Sequence, residues 1–276
     1  MTDSCATPSA DDLPLSAAEA RDRMVAEVTP VTGREFLPVR SALGRILAAD
    51  IVAPHDVPAH DNSAMDGYAV RFDTLPAAGE ARLAVVGTAF AGNAFSGIVG
   101  QGQAVRIMTG AVLPAGADTV VVQEAVRVEG GAVVVPPGQR KGQNTRLAGE
   151  DLARGAVALP AGKRIGPAEL GLIASLGVAE VEVRRRLRVA FFSTGDELAS
   201  IGKPLAPGQV YDSNRYTLHG LLARLGAEII DMGVVPDRPE ALEATLAEAA
   251  QVADAIITTG GVSVGEADFV REILGK

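Results

Sequence analysis

Between residues 187 and 268, short apolar runs alternate with longer stretches of helical period. The run at 255–259 is apolar and rich in β-branched residues, which predicts a strand buried on both faces. The apolar run at 188–192 and the segment 228–235 predict two further strands. Between them, residues 214–225 place Leu218, Leu221, Leu222 and Leu225 on one helical face and close at Gly226. The next helical stretch, to about residue 251, opens with Asp237 and Glu240 at capping spacing. Strands alternating with helices in this order predict a parallel sheet with right-handed crossovers.

The amino-terminal half is patterned differently. Residues 1–12 are small and polar and read as a disordered leader. Ser16-Ala-Ala-Glu19 has capping-box spacing, and Ala17, Ala20, Met24, Val25 and Val28 form one apolar face of a helix ending before Pro30. A second short helix is predicted over 39–47, leading into a strand at 50–52. From residue 54 to about 148, β-branched or alternating runs at 81–86, 104–108, 119–122 and 126–135 are divided by glycine and proline. That pattern predicts an all-β module. The last run is a hairpin turning at Gly130-Gly131, which supply the positive φ angles of a tight turn. A strand at 156–159, a helix at 167–176 closed by Gly177, and a strand at 178–183 follow. Arg184-Arg-Arg186 then reads as a solvated junction.

Composition narrows the class. A chain of 276 residues with 47% hydrophobic and 21% charged residues is globular, with room for about two domains. A net charge of −9 argues against a nucleic-acid partner, which needs a basic face. One cysteine, Cys5, allows no intramolecular disulfide and no cysteine metal cage. The amino terminus lacks the basic segment and apolar core of a signal peptide. The uncharged run 83–105 is interrupted by glycine, asparagine and glutamine, so no membrane span is predicted. The expected location is cytoplasmic, without a membrane partner.

Parallel strands present their carboxyl ends on one edge, where ligands bind. The three strand exits here carry Thr194, Gly195, Asp196 and Glu197; then Asp237; then Gly260, Gly261, Ser263, Gly265 and Asp268. The glycines and hydroxyls suit a phosphate or other anion held by backbone N–H groups. The carboxylates suit Mg²⁺, which prefers oxygen ligands. Plainer roles compete: Asp237 as a helix N-cap, Gly260-Gly261 as an ordinary turn, Glu197 as an acid in a first helical turn. No Walker sequence and no Gly-x-Gly-x-x-Gly are present, and His55, His60 and His219 lack metal-ligand spacing. A second polar set lies in the β-rich segment. It comprises Asp66-Gly67 at a turn, Thr109 at a strand end, an arginine in Gly142-Gln-Asn-Thr-Arg146, and two acids in Gly149-Glu-Asp151.

Six co-linear strings carry a resemblance. They are Asp61-Asn-Ser-Ala-Met-Asp-Gly-Tyr-Ala-Val70, Arg106-Ile-Met-Thr-Gly-Ala111, Gly149-Glu-Asp151, Phe192-Ser-Thr-Gly-Asp-Glu-Leu198, Val210-Tyr-Asp-Ser-Asn-Arg215 and Thr259-Gly-Gly-Val-Ser-Val-Gly-Glu-Ala-Asp268. Together they resemble the MoeA family of molybdopterin molybdenumtransferases, relatives of the gephyrin E domain. The resemblance implies insertion of molybdate into adenylyl-molybdopterin with release of AMP, assisted by Mg²⁺. It implies an elongated homodimer whose site lies between the α/β domain of one subunit and the β-rich module of the other. A molybdopterin adenylyltransferase is the implied pathway partner. Carried over by motif, the catalytic candidates are Asp66, Thr109, Asp151, Glu197, Asp237 and Asp268, the last three also as Mg²⁺ ligands. The substrate-binding candidates are Thr194, Gly195, Ser213, Asn214, Gly260, Gly261, Ser263 and Gly265.

The expected fold is multidomain α/β plus β. Residues 13–53 with 152–186 form a discontinuous domain, 54–151 an inserted β-rich module, and 187–276 a three-layer α/β molybdopterin-binding-type domain. Family members continue past the Gly-Glu-Ala-Asp motif with a lysine-bearing segment, a Pro-Gly-Asn-Pro loop and a small β domain, whereas this sequence ends at Lys276. Two rivals stand beside the transferase. One is an adenylyltransferase of the MogA kind, which shares the Thr-Gly-Gly turn but not the strings at 61–70 and 149–151. The other is a molybdopterin-binding or scaffold module without chemistry. No residue distinguishes molybdenum from tungsten.

Overall fold

The computed structural model describes residues 15–260 and Ile273. In chain order its elements are α1 (Ala17–Glu27), β1 (Arg34–Pro38), β2 (Ile51–Val52), β3 (Asn62–Ser63), β4 (Gly67–Val70), β5 (Ala81–Ala89), β6 (Gln103–Ile107) and β7 (Thr119–Val122). Next come β8 (Arg127–Glu129), β9 (Ala132–Val135), β10 (Thr145–Arg146), β11 (Val157–Leu159), α2 (Pro167–Ser175) and β12 (Glu180–Arg184). The last are β13 (Arg188–Thr194), β14 (Leu198–Ala199), β15 (Val210–Tyr211), α3 (Ser213–Leu225), β16 (Glu228–Val235), α4 (Pro239–Val252) and β17 (Ala255–Thr259). The chain divides into two compact units, Phe36–Val183 and the remainder.

In the first unit, six strands form one sheet in the order β7-β4-β6-β5-β9-β8. All neighbours are antiparallel except β5 and β6. Successive residues point to opposite faces of a strand. Tyr68, Val70, Ala104 and Val121 accordingly enter one buried cluster, and Ala69, Val105 and Val120 another. The hairpin turns where the glycine pair predicts, with φ of 53° and 80° at Gly130 and Gly131. A separate core joins Ala42, Leu47, Ile51 and Ala53 to Leu159, Ile165, Ile173, Leu176, Val181 and Val183. Here the predicted helix over 39–47 is absent. A single 3₁₀ turn, Val39–Ser41, is followed by Gly44 at φ 77°. Leu47 then donates its N–H to Lys163 O at 2.9 Å, and its fully buried side chain belongs to the core. Cross-chain pairing has displaced the local helical tendency.

The α/β unit is a parallel three-stranded sheet ordered β16-β13-β17; β16 and β17 have the predicted boundaries, and β13 runs two residues past the predicted end, to Thr194. Adjacent phenylalanines define its layers. Phe191 packs with Leu222 of α3, and Phe192 with Leu242 and Leu246 of α4, so a helix covers each face. The central strand β13 is buried almost throughout, whereas β17 is half-buried. On α3 the contact stripe runs through Leu218 and Leu222. Leu221 and Leu225, about 80° and about 40° to one side of the centre of that stripe at 3.6 residues per turn, stay exposed, a narrower buried face than the leucine spacing suggests. Gly226 closes α3 in the left-handed conformation. The capping box at Ser16 and Glu19 forms as predicted, but the apolar face of α1 is exposed at Met24, Val25 and Val28.

The arginine triplet is not a solvated junction. Arg185 makes a two-pronged ion pair with Asp254, both contacts at 2.6 Å, and Asp254 also accepts the N–H of Arg188 at 2.8 Å. Gly33 permits this, because a Cβ there would lie 2.7 Å from Arg185 Nε. The pair holds the Asp254 carboxyl well below the usual carboxylate range, chiefly through the Arg185 hydrogen bonds. It fixes the start of β17 beside the start of β13.

Candidate functional site

In the α/β unit the sheet register determines the site. Ser193 pairs with Thr259 and Thr194 with Val235, so all three strands end nearly level. Gly195, Pro236-Asp237 and Gly260 therefore emerge along one edge, as parallel pairing requires. Thr194 is buried, and its hydroxyl donates to Asp237 Oδ1 at 3.3 Å. Asp237 is consequently not the N-cap of α4. That position belongs to Arg238, without a side-chain cap, and Pro239 at the first helical position supplies the helix start. The Asp237 carboxylate is turned to the strand-exit edge instead.

Gly260 has φ 93°, and a Cβ there would sit 2.4 Å from the Thr194 carbonyl oxygen. Only glycine lets the β17 exit lie this close to the β13 exit. Gly195 sits under the carboxylate of Glu197, which a Cβ would approach to 2.7 Å. Glu197 is exposed and precedes β14 rather than opening a helix. On the other face of β13, Thr259 and Ser193 hydroxyls are 2.9 Å apart. Ser213 and Asn214 form the exposed first turn of α3. The chain reaches them through an excursion after β13, tied back by parallel pairing of β14 with β15. Gly261, Ser263, Gly265 and Asp268 lie outside the described residues.

In the β-rich unit three of the six strings converge. The β3 strand pairs with β10, matching Asn62 to Arg146 and Ser63 to Thr145. Ser63 also exchanges backbone hydrogen bonds with the 106–111 loop, through Ala111 O at 3.0 Å and Gly110 N at 2.8 Å. Asp66 Oδ1 accepts from both the N–H and the hydroxyl of Thr109, each at 2.8 Å. These donors, the backbone one foremost, lower the Asp66 carboxyl below its ordinary range. Asp151 is not free. It is ion-paired with Arg146 at 2.5 Å, and Arg146 also holds Glu150. Arg106 lies 5.0 Å over the Tyr68 ring and reaches the Gly67 carbonyl. The structure thus brings Asp66 to Thr109 and Asp151 to Arg146 in one unit, and Thr194, Gly195, Asp237 and Gly260 to one edge in the other.

Two polar residues escaped the sequence reading. Asp212 is buried and caps α3, accepting Arg215 N–H at 3.1 Å. An acid immediately before a helical run was the available signal. Asn62 Oδ1 is buried without a partner. Its position in a β-bridge could not be foreseen from spacing.

A three-layer α/β unit with its polar residues at the carboxyl edge, accompanied by a β-rich unit gathering a second polar set, defines a class of multidomain ligand-binding protein. Residues 15–177 match the MoeA N-terminal region (domain I and II), and residues 190–276 match a probable molybdopterin binding domain. The chain belongs to the MoeA family. It is similar to a molybdopterin molybdenumtransferase of Haemophilus influenzae, 46% identical over 95% of this chain and 65% of that protein. A Nostoc protein of the same description is 44% identical over 88% of this chain and 56% of its own length. A crystal structure of a molybdopterin biosynthesis MoeA protein from Pyrococcus horikoshii superposes with a TM-score of 0.81 at 34% identity, covering 95% of this chain and 66% of that one. The chain therefore spans less than two thirds of the length of these two curated relatives.

Proposed function

We propose that the protein acts in molybdenum cofactor biosynthesis, inserting molybdate into adenylyl-molybdopterin with release of AMP. The supporting observation is the level edge of three parallel strands, carrying Thr194-Gly195, Asp237 and Gly260 in a chain of the MoeA family. Backbone N–H groups at Gly195 and Gly260 suit the substrate's phosphate oxygens, and Thr194, whose hydroxyl is engaged by Asp237, Gly261, Ser263 and Gly265 are assigned with them. Water cleaves the pyrophosphate bridge to free AMP. As the two sulfurs become ligands, molybdate oxygens leave as water. Those oxygens take up protons and the thiols lose them, so carboxylates at the edge are the groups suited to carry protons. We assign Glu197, Asp237 and Asp268 to this edge and Asp66, Thr109 and Asp151 to the β-rich side. In the latter, the Arg146 pair would orient Asp151.

The donor set is all oxygen, which suits Mg²⁺. Among the described residues no three His, Cys, Asp or Glu side chains come together as a cage. Mg²⁺ is ordinarily held by one or two carboxylates with substrate phosphates, so Glu197 and Asp237 suffice on the described side, with Asp268 the third candidate. When bound, the ion would offset negative charge on the pyrophosphate. We also propose a cytoplasmic homodimer supplied by a molybdopterin adenylyltransferase. The segments 13–53 and 152–186 are proposed as one domain interrupted by 54–151, because one apolar cluster draws on both. The test is to mix the full-length protein with adenylyl-molybdopterin, molybdate and Mg²⁺ and to measure AMP together with reconstitution of a cofactor-free molybdoenzyme. Molybdate-dependent appearance of both is expected. Tight binding of adenylyl-molybdopterin without AMP release would replace the transferase with a binding module.

A further inference from the structure

Among the described residues, three buried side-chain atoms lack a hydrogen-bond partner: Asn62 Oδ1, Asp212 Oδ2 and Thr258 Oγ1. The costliest is on Asp212, since a buried carboxylate oxygen needs a donor or a cation. Asp212 is only 4% exposed. Its Oδ1 caps α3, its N–H is held by Ala199 O at 3.2 Å, and Oδ2 is left over. Chain order places it well. The α3 helix follows the excursion from the β13 exit and runs back to β16, so its amino terminus stands at the carboxyl edge. The excursion carries Glu197 at its start and Asp212 at its end, joined by the two-residue ladder Leu198↔Val210 and Ala199↔Tyr211. A ligand reaching Oδ2 would have to displace this ladder.

A phosphate is disfavoured at this point, because it would meet a carboxylate already seated on the helix amino terminus, and like charges repel. The cation of the reading above is assigned to Glu197, Asp237 and Asp268. A neutral donor is the group that fits Oδ2. We propose that Asp212 is a substrate-binding carboxylate whose Oδ2 accepts a hydrogen bond from an N–H or O–H group of the ligand. This rests on the substrate proposed above, which carries such donors in its ribose hydroxyls and its pterin amino edge.

The test compares Asp212→Asn and Asp212→Ser with wild type. Asn and Ser cap helices about as well as Asp, so a role in capping alone predicts unchanged binding as well as unchanged melting. Calorimetry with adenylyl-molybdopterin, AMP and 2′,3′-dideoxy-AMP reads the donor. Adenylyl-molybdopterin should bind roughly tenfold or more weakly to both variants, the loss typical of an unpaired donor in a built site. If AMP also weakens while dideoxy-AMP does not change, the ribose is the donor. If AMP is unaffected, the pterin is. Folded variants that bind adenylyl-molybdopterin as wild type does would overturn the role of Asp212 and leave the transferase reading standing. A wild type that binds none of the three would remove both.

Discussion

Replacing Gly260 by alanine should damage the strand-exit edge in a way that can be separated from ordinary glycine strain. At φ 93° any side chain is disfavoured, and a left-handed conformation costs about 1–2 kcal/mol. The new Cβ would also sit 2.4 Å from the Thr194 carbonyl oxygen and 3.2 Å from Thr194 Cγ2. The first partner is backbone within the central strand, so it cannot swing aside as a side-chain tip would. Forcing the two exits apart should add about 1–3 kcal/mol, as other overpacked sites do. The total is about 2–5 kcal/mol. Gly202 is the internal control. It lies in the same unit at φ 84°, and a Cβ added there would have nothing within 4 Å, so Gly202→Ala should lose only the conformational part. The chain has no tryptophan, so urea unfolding is best followed by far-ultraviolet circular dichroism. A Gly260→Ala variant no less stable than Gly202→Ala would refute the close approach of the β17 exit to β13.

Two further perturbations address the electrostatics. Thr109→Val removes one of the two donors to Asp66 but keeps the backbone N–H, the larger cause of its lowered titration. The Asp66 titration, followed by carboxyl NMR, should therefore rise toward its ordinary value of 3.8 without reaching it. Because the folded value is depressed, Asp66's contribution to stability is complete above the ordinary value and lost as pH falls through the folded one. Asp254→Asn should cost about 1.5–3 kcal/mol, the range for a hydrogen bond to a charged group, because it removes the charge and one of the two oxygens that Arg185 grips. Asp254 is depressed too, so wild type and variant should differ fully at neutral pH and converge only in strong acid, below the ordinary value of 3.8. A difference that vanished near pH 6 would contradict the assigned pair.

Much of the α/β unit was legible because its signals are local. The apolar runs at 188–192 and 255–259 and the segment 228–235 mark strands, and a parallel sheet follows from their alternation with helices; of the three only β13 is buried almost throughout. Glycines at 130, 131, 177 and 226 mark reversals because each adopts a positive φ there. The family strings, too, are readable without coordinates. What tertiary structure alone decided is which polar groups are engaged. Asp66 is bound by Thr109, 43 residues away, and Arg185 by Asp254, 69 residues away. Asp237 turns to Thr194 instead of capping α4, and the helix expected over 39–47 gives way to pairing with 163–165 and 183. Periodicity reports which face of an element is buried. It carries no information on strand order or register, and these bring residues distant in sequence within hydrogen-bonding reach.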